Sequence, residues 1–341
     1  MVGAKIKNME EFAAVSGISR PTVSKYFNDP ESVRASTRER IEQALKTYDY
    51  RPNIYAMNQN RKLTKNIGIV VPYLADPVFA ELARSLEQRC LDAGYRPTLY
   101  SSHGVQSHEN DILDSLRSLK PTGVLLAALG RASDKRVIEK FCADVPTVLF
   151  DSNVEDLGLA FVGSDNPQFS NLIVDYLCRT GEPPSFFEMK SPPNPNANKR
   201  RMGYIAGMEK MGFTPQIIQA EGEGWGIEEI GLREGYKALE QGAFATNTVL
   251  CSNDRLAIGF LSACYERNLR VGRGADASIR VAGQDDHPFS RFTCPALTTI
   301  AQDYESISRE TMQRLFQLIE GESQERTATF LEGKLVMRES A

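Results

Sequence analysis

Two groups of residues in this sequence have the types and spacing to do chemistry. The first is Ser19-Arg20-Pro21-Thr22, with Ser24 and Lys25 a turn further on. An arginine fork bonds O6 and N7 of one guanine together, and hydroxyls or a lysine reach base edges or phosphate, so this run suits the reading of a duplex. The plainer reading of Arg20 and Lys25 is two solvated charges on an exposed helix. The second group is dispersed. Asp151 and Asn253 end apolar, strand-like runs, and Asp285 follows another. Carboxylates and amides placed there bond vicinal hydroxyls, and a flat ring such as Trp225, the sole tryptophan, stacks on the C–H face of a sugar. Each acid or amide also suits capping the helix that follows it, and Trp225 also suits a core.

Other chemistries lack parts. Gly222-Glu223-Gly224-Trp225-Gly226 misses the third glycine of a dinucleotide-binding turn at the required offset, and neither a P-loop nor a GxSxG elbow occurs. Of three histidines, His103 and His108 sit in a polar loop and His287 adjoins Pro288, which suggests neither a metal cluster nor a triad. Asp285-Asp286 suits binding or capping better than paired acid/base work. Six cysteines are scattered without a CxxC and read as small, reduced, buried residues. We therefore expect no metal, no cofactor and no enzyme.

The elements that position the first group are short helices. Asn8 caps a first helix with Glu11 three residues on, Phe12, Ala13 and Val15 form its apolar stripe, and Gly17 stops it. Ser19 caps a second helix with Pro21 in its first turn and Val23, Tyr26 and Phe27 at helical spacing. Asn28-Asp29-Pro30 breaks it, and Ser36 or Thr37 starts a third helix with Ile41, Ala44, Leu45 and Tyr48 on one face. Two helices around a glycine turn make a helix-turn-helix, whose second helix enters the major groove N-terminus first. Residues 1–65 hold 12 Lys and Arg against 7 Asp and Glu, leaving 28 against 37 for the remainder of a chain whose net charge is −4. Phosphate contact wants the positive head, not the acidic body.

Beyond the basic connector Arg61–Lys65, strand-like runs alternate with amphipathic helices, the pattern of parallel α/β architecture. Strands are expected at 67–71, 97–100, 123–127 and 147–150, then at 185–188, 216–220, 249–252 and 279–282, and last around 297–300, 329–331 and 334–337. No apolar run approaches the roughly 20 residues that span a bilayer, and the N-terminus lacks a signal-peptide core, so a cytoplasmic protein is expected.

These residues resemble the LacI/GalR family of bacterial transcription repressors. The head carries Glu11-Phe12-Ala13, Ser16-Gly17-Ile18-Ser19, Thr22-Val23-Ser24, Asn28, Val33, Thr37-Arg38 and Tyr50-Arg51-Pro52-Asn53. The body carries Asp76-Pro77-Val78-Phe79, Ser252-Asn253-Asp254, Gly283-Gln284-Asp285-Asp286, Pro295-Ala296-Leu297-Thr298-Thr299-Ile300 and Gln302-Asp303. The resemblance covers nearly the whole chain. It implies an α + α/β fold: a three-helix head with a hinge, then two Rossmann-like parallel α/β lobes of periplasmic-binding-protein type. The expected bounds are a DNA-binding head over 1–53, a hinge helix and linker over 54–65 and an effector-binding core over 66–341. Within the core, the N-lobe takes 66–163 and 303–328, and the C-lobe takes 164–300 and 329–341.

The resemblance also implies roles. In the head, Asn8, Ser19, Arg20, Pro21, Thr22, Ser24, Lys25, Asn28, Thr37, Tyr50 and Asn53 become DNA contacts. In the hinge, which docks in the minor groove, Ala56, Met57 and Gln59 do so, and Gln59 stands where the family has a leucine wedge. In the body, Asp151, Asn253 and Asp285 bond effector hydroxyls, Asp76 and Gln302 add polar ligands, and Phe79 and Trp225 form aromatic walls. Sugar-responsive members carry an arginine five residues before the Gly-aromatic pair, here Gly203-Tyr204. This chain has Asn198 there, whereas Arg200 matches a second arginine three residues before the glycine. The run Lys199-Arg200-Arg201 suits either a solvated helix face or a phosphorylated sugar, and the proline-rich loop 191–196 borders the cleft. The implied partners are a pseudo-palindromic operator in the nucleoid, a small carbohydrate-like effector and a second copy of the chain. A dimer is expected because no leucine-repeat tail follows Arg338. The competing reading is a cytoplasmic sugar-binding or sugar-modifying α/β protein without DNA regulation, which salt-dependent DNA binding would separate from the first.

Overall fold

Packing of the predicted elements was followed in a computed structural model, which describes residues 6, 8–50, 64–154, 157–322 and 325–341, the side chain of Asn28 excepted. The chain divides into two units, Met1–Thr64 and Lys65–Ala341.

In the first unit α1 spans Met9–Ser16. The Asn8 side chain accepts from the Glu11 N–H, and Gly17 ends the helix at φ 66°, a left-handed conformation that glycine adopts without a Cβ penalty. Helix α2, Arg20–Asn28, is capped by the Ser19 hydroxyl and carries Pro21 in its first turn. Helix α3, Ala35–Tyr48, starts earlier than Ser36 or Thr37: Arg34 is its N-cap, without a side-chain hydrogen bond. Phe12, Ile18, Val23, Ile41 and Tyr50 make the core of the unit. Val15 and Tyr48, expected on apolar faces, are instead exposed.

The second unit begins with β1 (Asn66–Val71), α4 (Pro77–Asp92), β2 (Arg96–Ser101), α5 (Gln106–Leu119), β3 (Gly123–Leu126), α6 (Lys135–Asp144), β4 (Thr147–Phe150) and β5 (Ala160–Ser164). It continues with α7 (Asn166–Thr180), β6 (Ser185–Met189), α8 (Asn196–Lys210), β7 (Ile217–Ala220), α9 (Ile227–Glu240), β8 (Thr248–Cys251), α10 (Asp254–Glu266) and β9 (Arg280–Ala282). Strand β10 (Thr299–Ala301), α11 (Tyr304–Glu320), β11 (Thr327–Leu331) and β12 (Lys334–Val336) complete it. One parallel sheet has the order β11-β5-β4-β3-β1-β2 and the other β7-β6-β8-β9, while β10 and β12 form an antiparallel pair.

Both sheets are covered on two faces, which is why their strands read as continuous apolar runs rather than alternating ones. On the first sheet, α4 and α11 bury Phe79, Leu82, Leu86, Met312 and Leu315 against one face. Leu113, Leu116, Ile138 and Phe141 of α5 and α6 cover the other. On the second, neighbouring residues of one strand diverge: Phe187 joins the core under α9 and α10, and Phe186 the core under α7 and α8. The chain passes between lobes three times, and the third passage differs from expectation. Strand β11 pairs with β5 in the first sheet, Thr327 to Leu331 against Ala160 to Ser164, so the return to the second lobe follows Leu331 and not residue 328. Strand β5 itself has no counterpart among the expected strands.

Candidate functional site

In the head, α2 presents its N-terminal turn to solvent. Pro21 and Lys25 are exposed, and Thr22 and Ser24 are half-buried. Arg20 is 63% exposed, with a loose 3.5 Å ion pair to Glu10 that a phosphate or base can outcompete. Asn8 and Ser19 have their side-chain oxygens engaged as caps, Ser19 also lying 2.8 Å from the Thr22 hydroxyl. Thr37 is half-buried in the first turn of α3. Tyr50 departs from its expected role. Its ring is buried against Phe12, centroids 4.7 Å apart, and burial raises the pKa of its hydroxyl. It is a core residue of the head rather than an exposed DNA contact. Asn53, Ala56, Met57, Gln59 and the Asn28 side chain lie outside the described residues.

In the second unit the carboxyl ends of both parallel sheets bring polar side chains together, where ligands of such folds bind. Asp151 follows β4, Arg200 comes from α8, Asn253 and Arg255 from the end of β8 and the first turn of α10, Asp285 follows β9, and Gln302 lies on the crossing after β10. With Asp76, which caps α4 by accepting from the Val78 N–H, they enclose a cavity of about 40 Å³. That is room for a few waters, not for a sugar ring.

The polar groups form connected pairs. Arg200 is buried. Its Nε donates to Asn166 at 2.8 Å, one terminal nitrogen donates to the Ser252 carbonyl at 3.0 Å, and the other pairs with Asp285. Gln302 donates to the same Asp285 oxygen at 2.6 Å and accepts from Ser164 at 2.7 Å. Asn253 accepts from the Leu256 N–H, so the cap reading holds for it while it also lines the cleft. Asp151 and Asp285 sit at φ 60° and 139°, conformations costly for residues with a side chain. Burial raises the Asp76 carboxyl above its ordinary range although Arg255 opposes it. Burial also pushes Asp151 up to about 7 against the pull of Lys199 and Arg200. Asp254, deeper, is pushed up to about 7 by burial and by Asp285, and accepts hydrogen bonds from Ser290, Thr299 and the His287 N–H.

Two expected positions move. Asn198 is exposed and accepts from Arg201, outside the cleft, because it lies two residues further along α8 than the inward-facing turn. Phe79 is buried in the first-lobe core and backs Trp225 edge-on at 6.1 Å rather than lining the cavity. Trp225 does line it, but one ring face is stacked on Tyr73, centroids 5.1 Å apart. Sequence reasoning missed Arg255 and Asn196. Arg255 reaches from the second lobe to Asp76 of the first, Nη1 to Oδ2, at 2.9 Å. The available signal was its place in the first turn of the helix that Asn253 caps. Asn196 donates to the Asp151 carbonyl at 3.1 Å, and the proline-rich loop that leads to it was the hint.

Residues 8–53 match the model of bacterial regulatory proteins, lacI family, and residues 181–341 match the periplasmic binding protein-like domain. The chain is 27% identical to the HTH-type transcriptional repressor PurR of Pasteurella multocida over 97% of this chain and 98% of the relative. It is also 27% identical to the ribose operon repressor of Escherichia coli, over 86% and 87% of the two. A solved Lac repressor bound to ONPG in the repressed state superposes with TM-score 0.83 at 23% identity, covering 99% of this chain and 100% of the other. The Lac repressor dimer bound to operator and the anti-inducer ONPF gives 0.82 at 24%, covering 98% and 99%.

Proposed function

The chain belongs to the LacI/GalR family of bacterial transcription regulators, and from that premise we propose how its parts divide the work. It is a DNA-binding regulator that acts on nucleoid DNA in the cytoplasm as a homodimer, without catalysing a reaction. Arg20, Pro21, Thr22, Ser24 and Lys25 of each head read one half of a pseudo-palindromic operator, with Asn8, Ser19 and Thr37 at the backbone. A small carbohydrate-like effector binds among Asp76, Asp151, Asn196, Arg200, Asn253 and Asp285 and changes how the lobes close. The relatives' names speak of ribose, and neighbouring structures hold D-xylulofuranose or cellobiose.

The observation that carries this reading is the convergence of acids, amides and arginines from both lobes on one cleft in a chain that also carries a helix-turn-helix. Among the described residues no cluster suited to a metal and no helix long and apolar enough to cross a membrane occurs. The test is selection of bound duplexes from genomic DNA, followed by titration at several salt concentrations. Specific retention whose affinity falls steeply with salt supports the reading. Retention of no duplex at any salt concentration overturns it.

A further inference from the structure

The cleft's hydrogen-bonding capacity is unevenly spent. Its two arginines are consumed by the protein. Arg255 donates from Nε and one terminal nitrogen to Glu228 at 2.7 and 2.6 Å, from that nitrogen to the Trp225 carbonyl at 2.7 Å, and from the other to Asp76 at 2.9 Å. Arg200 is spent on Asn166, Ser252 and Asp285. The cationic run next to it is engaged as well: Lys199 donates to Asn153 at 3.1 Å and its charge acts on Asp151, and Arg201 pairs with Glu188 at 2.9 Å. The unused groups are oxygens, not cations. Among the described residues, Asp151 Oδ2 and Asn196 Oδ1 are buried side-chain oxygens of the cleft without a hydrogen-bond partner.

We infer that the cleft takes an uncharged polyol and rejects phosphorylated and carboxylated sugars, and that Arg255 sets this preference by holding Asp76 across the lobes. The inference rests on the reading of the cleft as the effector site. With about 40 Å³ free, a ligand enters only by parting contacts that now join the lobes, and the Asp76–Arg255 pair is one of them. Both partners are at least nine-tenths buried. An anion that captures Arg255 leaves Asp76 as a buried carboxylate with only the Val78 N–H, a costly arrangement. A vicinal diol avoids that: one hydroxyl donates to Asp76 while its neighbour accepts from Arg255. Further hydroxyls, which both donate and accept, then partner Asp151 Oδ2 and Asn196 Oδ1.

The test titrates the full-length protein with neutral pentoses and hexoses. For each that binds, the phosphate ester, the uronic acid and the amino-sugar analogue follow. Thermal shift and the emission of Trp225, the sole tryptophan and a cleft residue, are the readouts. The wild-type chain should bind the anionic derivatives at least about 100-fold more weakly than the neutral parent, the scale of one stranded buried charge. In Arg255→Gln, Asp76 loses its cation, and the ammonium-bearing analogue should gain at least about tenfold over its neutral parent. A merely structural role for Arg255 would weaken all ligands alike and leave that ratio unmoved, which overturns its assignment. An anionic sugar bound by the wild type as tightly as its parent overturns the inference and leaves a sugar-gated regulator standing. No response to any member overturns both, and because the first comparison uses unaltered protein, it stands even where Arg255→Gln does not fold.

Discussion

At the scale of the residue, Arg20 and Asp151 make opposite demands on their surroundings. Arg20 is useful because little holds it: exposed, with one loose partner, it can swing both donors onto a guanine. Arg20→Ala should therefore relax preference at one operator position by about 1–3 kcal/mol and leave the rest of the recognised sequence unchanged, as read by binding to single-base operator variants. Asp151 is useful because it is buried with one oxygen unanswered. Its carboxyl holds a proton up to about pH 7 in the folded chain, whereas the ordinary value is 3.8. With the folded value raised, stability from the protonated form is complete below the unfolded pKa and is lost as pH rises through about 7. Asp151→Asn cannot ionise, so between about pH 4 and pH 7 its melting temperature should fall less with rising pH than that of the wild type. Asp254 titrates the same way in both proteins and cancels in that difference. An identical pH profile for the two would mean that Asp151 is already ionised in the folded chain. Asp151, Asn253 and Asp285 were legible from the sequence because each stands where an apolar run stops. Asn198 was misplaced because a helix turns 100° per residue, and two positions separate an inward amide from an exposed one.

At the scale of the element, two glycines decide how Arg255 is aimed. A Cβ on Gly259 of α10 would lie 2.0 Å from the Glu228 carbonyl of α9, and one on Gly231 would lie 2.5 Å from the Leu256 carbonyl. The helices touch backbone to backbone there, which sets Glu228 beside the Arg255 guanidinium. Gly259→Ala should force them apart, lowering stability by about 1–3 kcal/mol in denaturant melts and weakening the effector response while the head still binds DNA. The elements themselves were readable where caps and continuous apolar runs marked them, as at Asn8, Ser19 and 67–71. Strand β5 was not, because Ala160-Phe161-Val162-Gly163-Ser164 holds one β-branched residue and closes on Gly163 and Ser164, which are poor strand formers. Nor does a sequence say which sheet an edge strand joins. Strand β11 alternates half-buried and exposed residues and is held to β5 by backbone hydrogen bonds, which carry no side-chain signature. Arg255 escaped for a related reason: a charged residue in a first helical turn looks like surface until the other lobe is placed opposite it.

At the scale of the whole molecule, a positively charged reader is joined to a two-lobed clamp, and the link is a free energy shared between operator and effector sites. Such couplings run to about 1–3 kcal/mol, or roughly 5–150-fold in affinity. Asp285 is the group to remove, since Arg200 and Gln302 both bond its carboxylate and Tyr304 its carbonyl at the floor of the cleft. The most direct measurement is the affinity of the wild type and of Asp285→Asn for a selected operator duplex across a titration of the neutral sugar that raises the melting temperature most. The wild type should change its operator affinity within that range, and Asp285→Asn should bind the same duplex and ignore the sugar. An Asp285→Asn chain that answers the sugar as the wild type does would contradict the account.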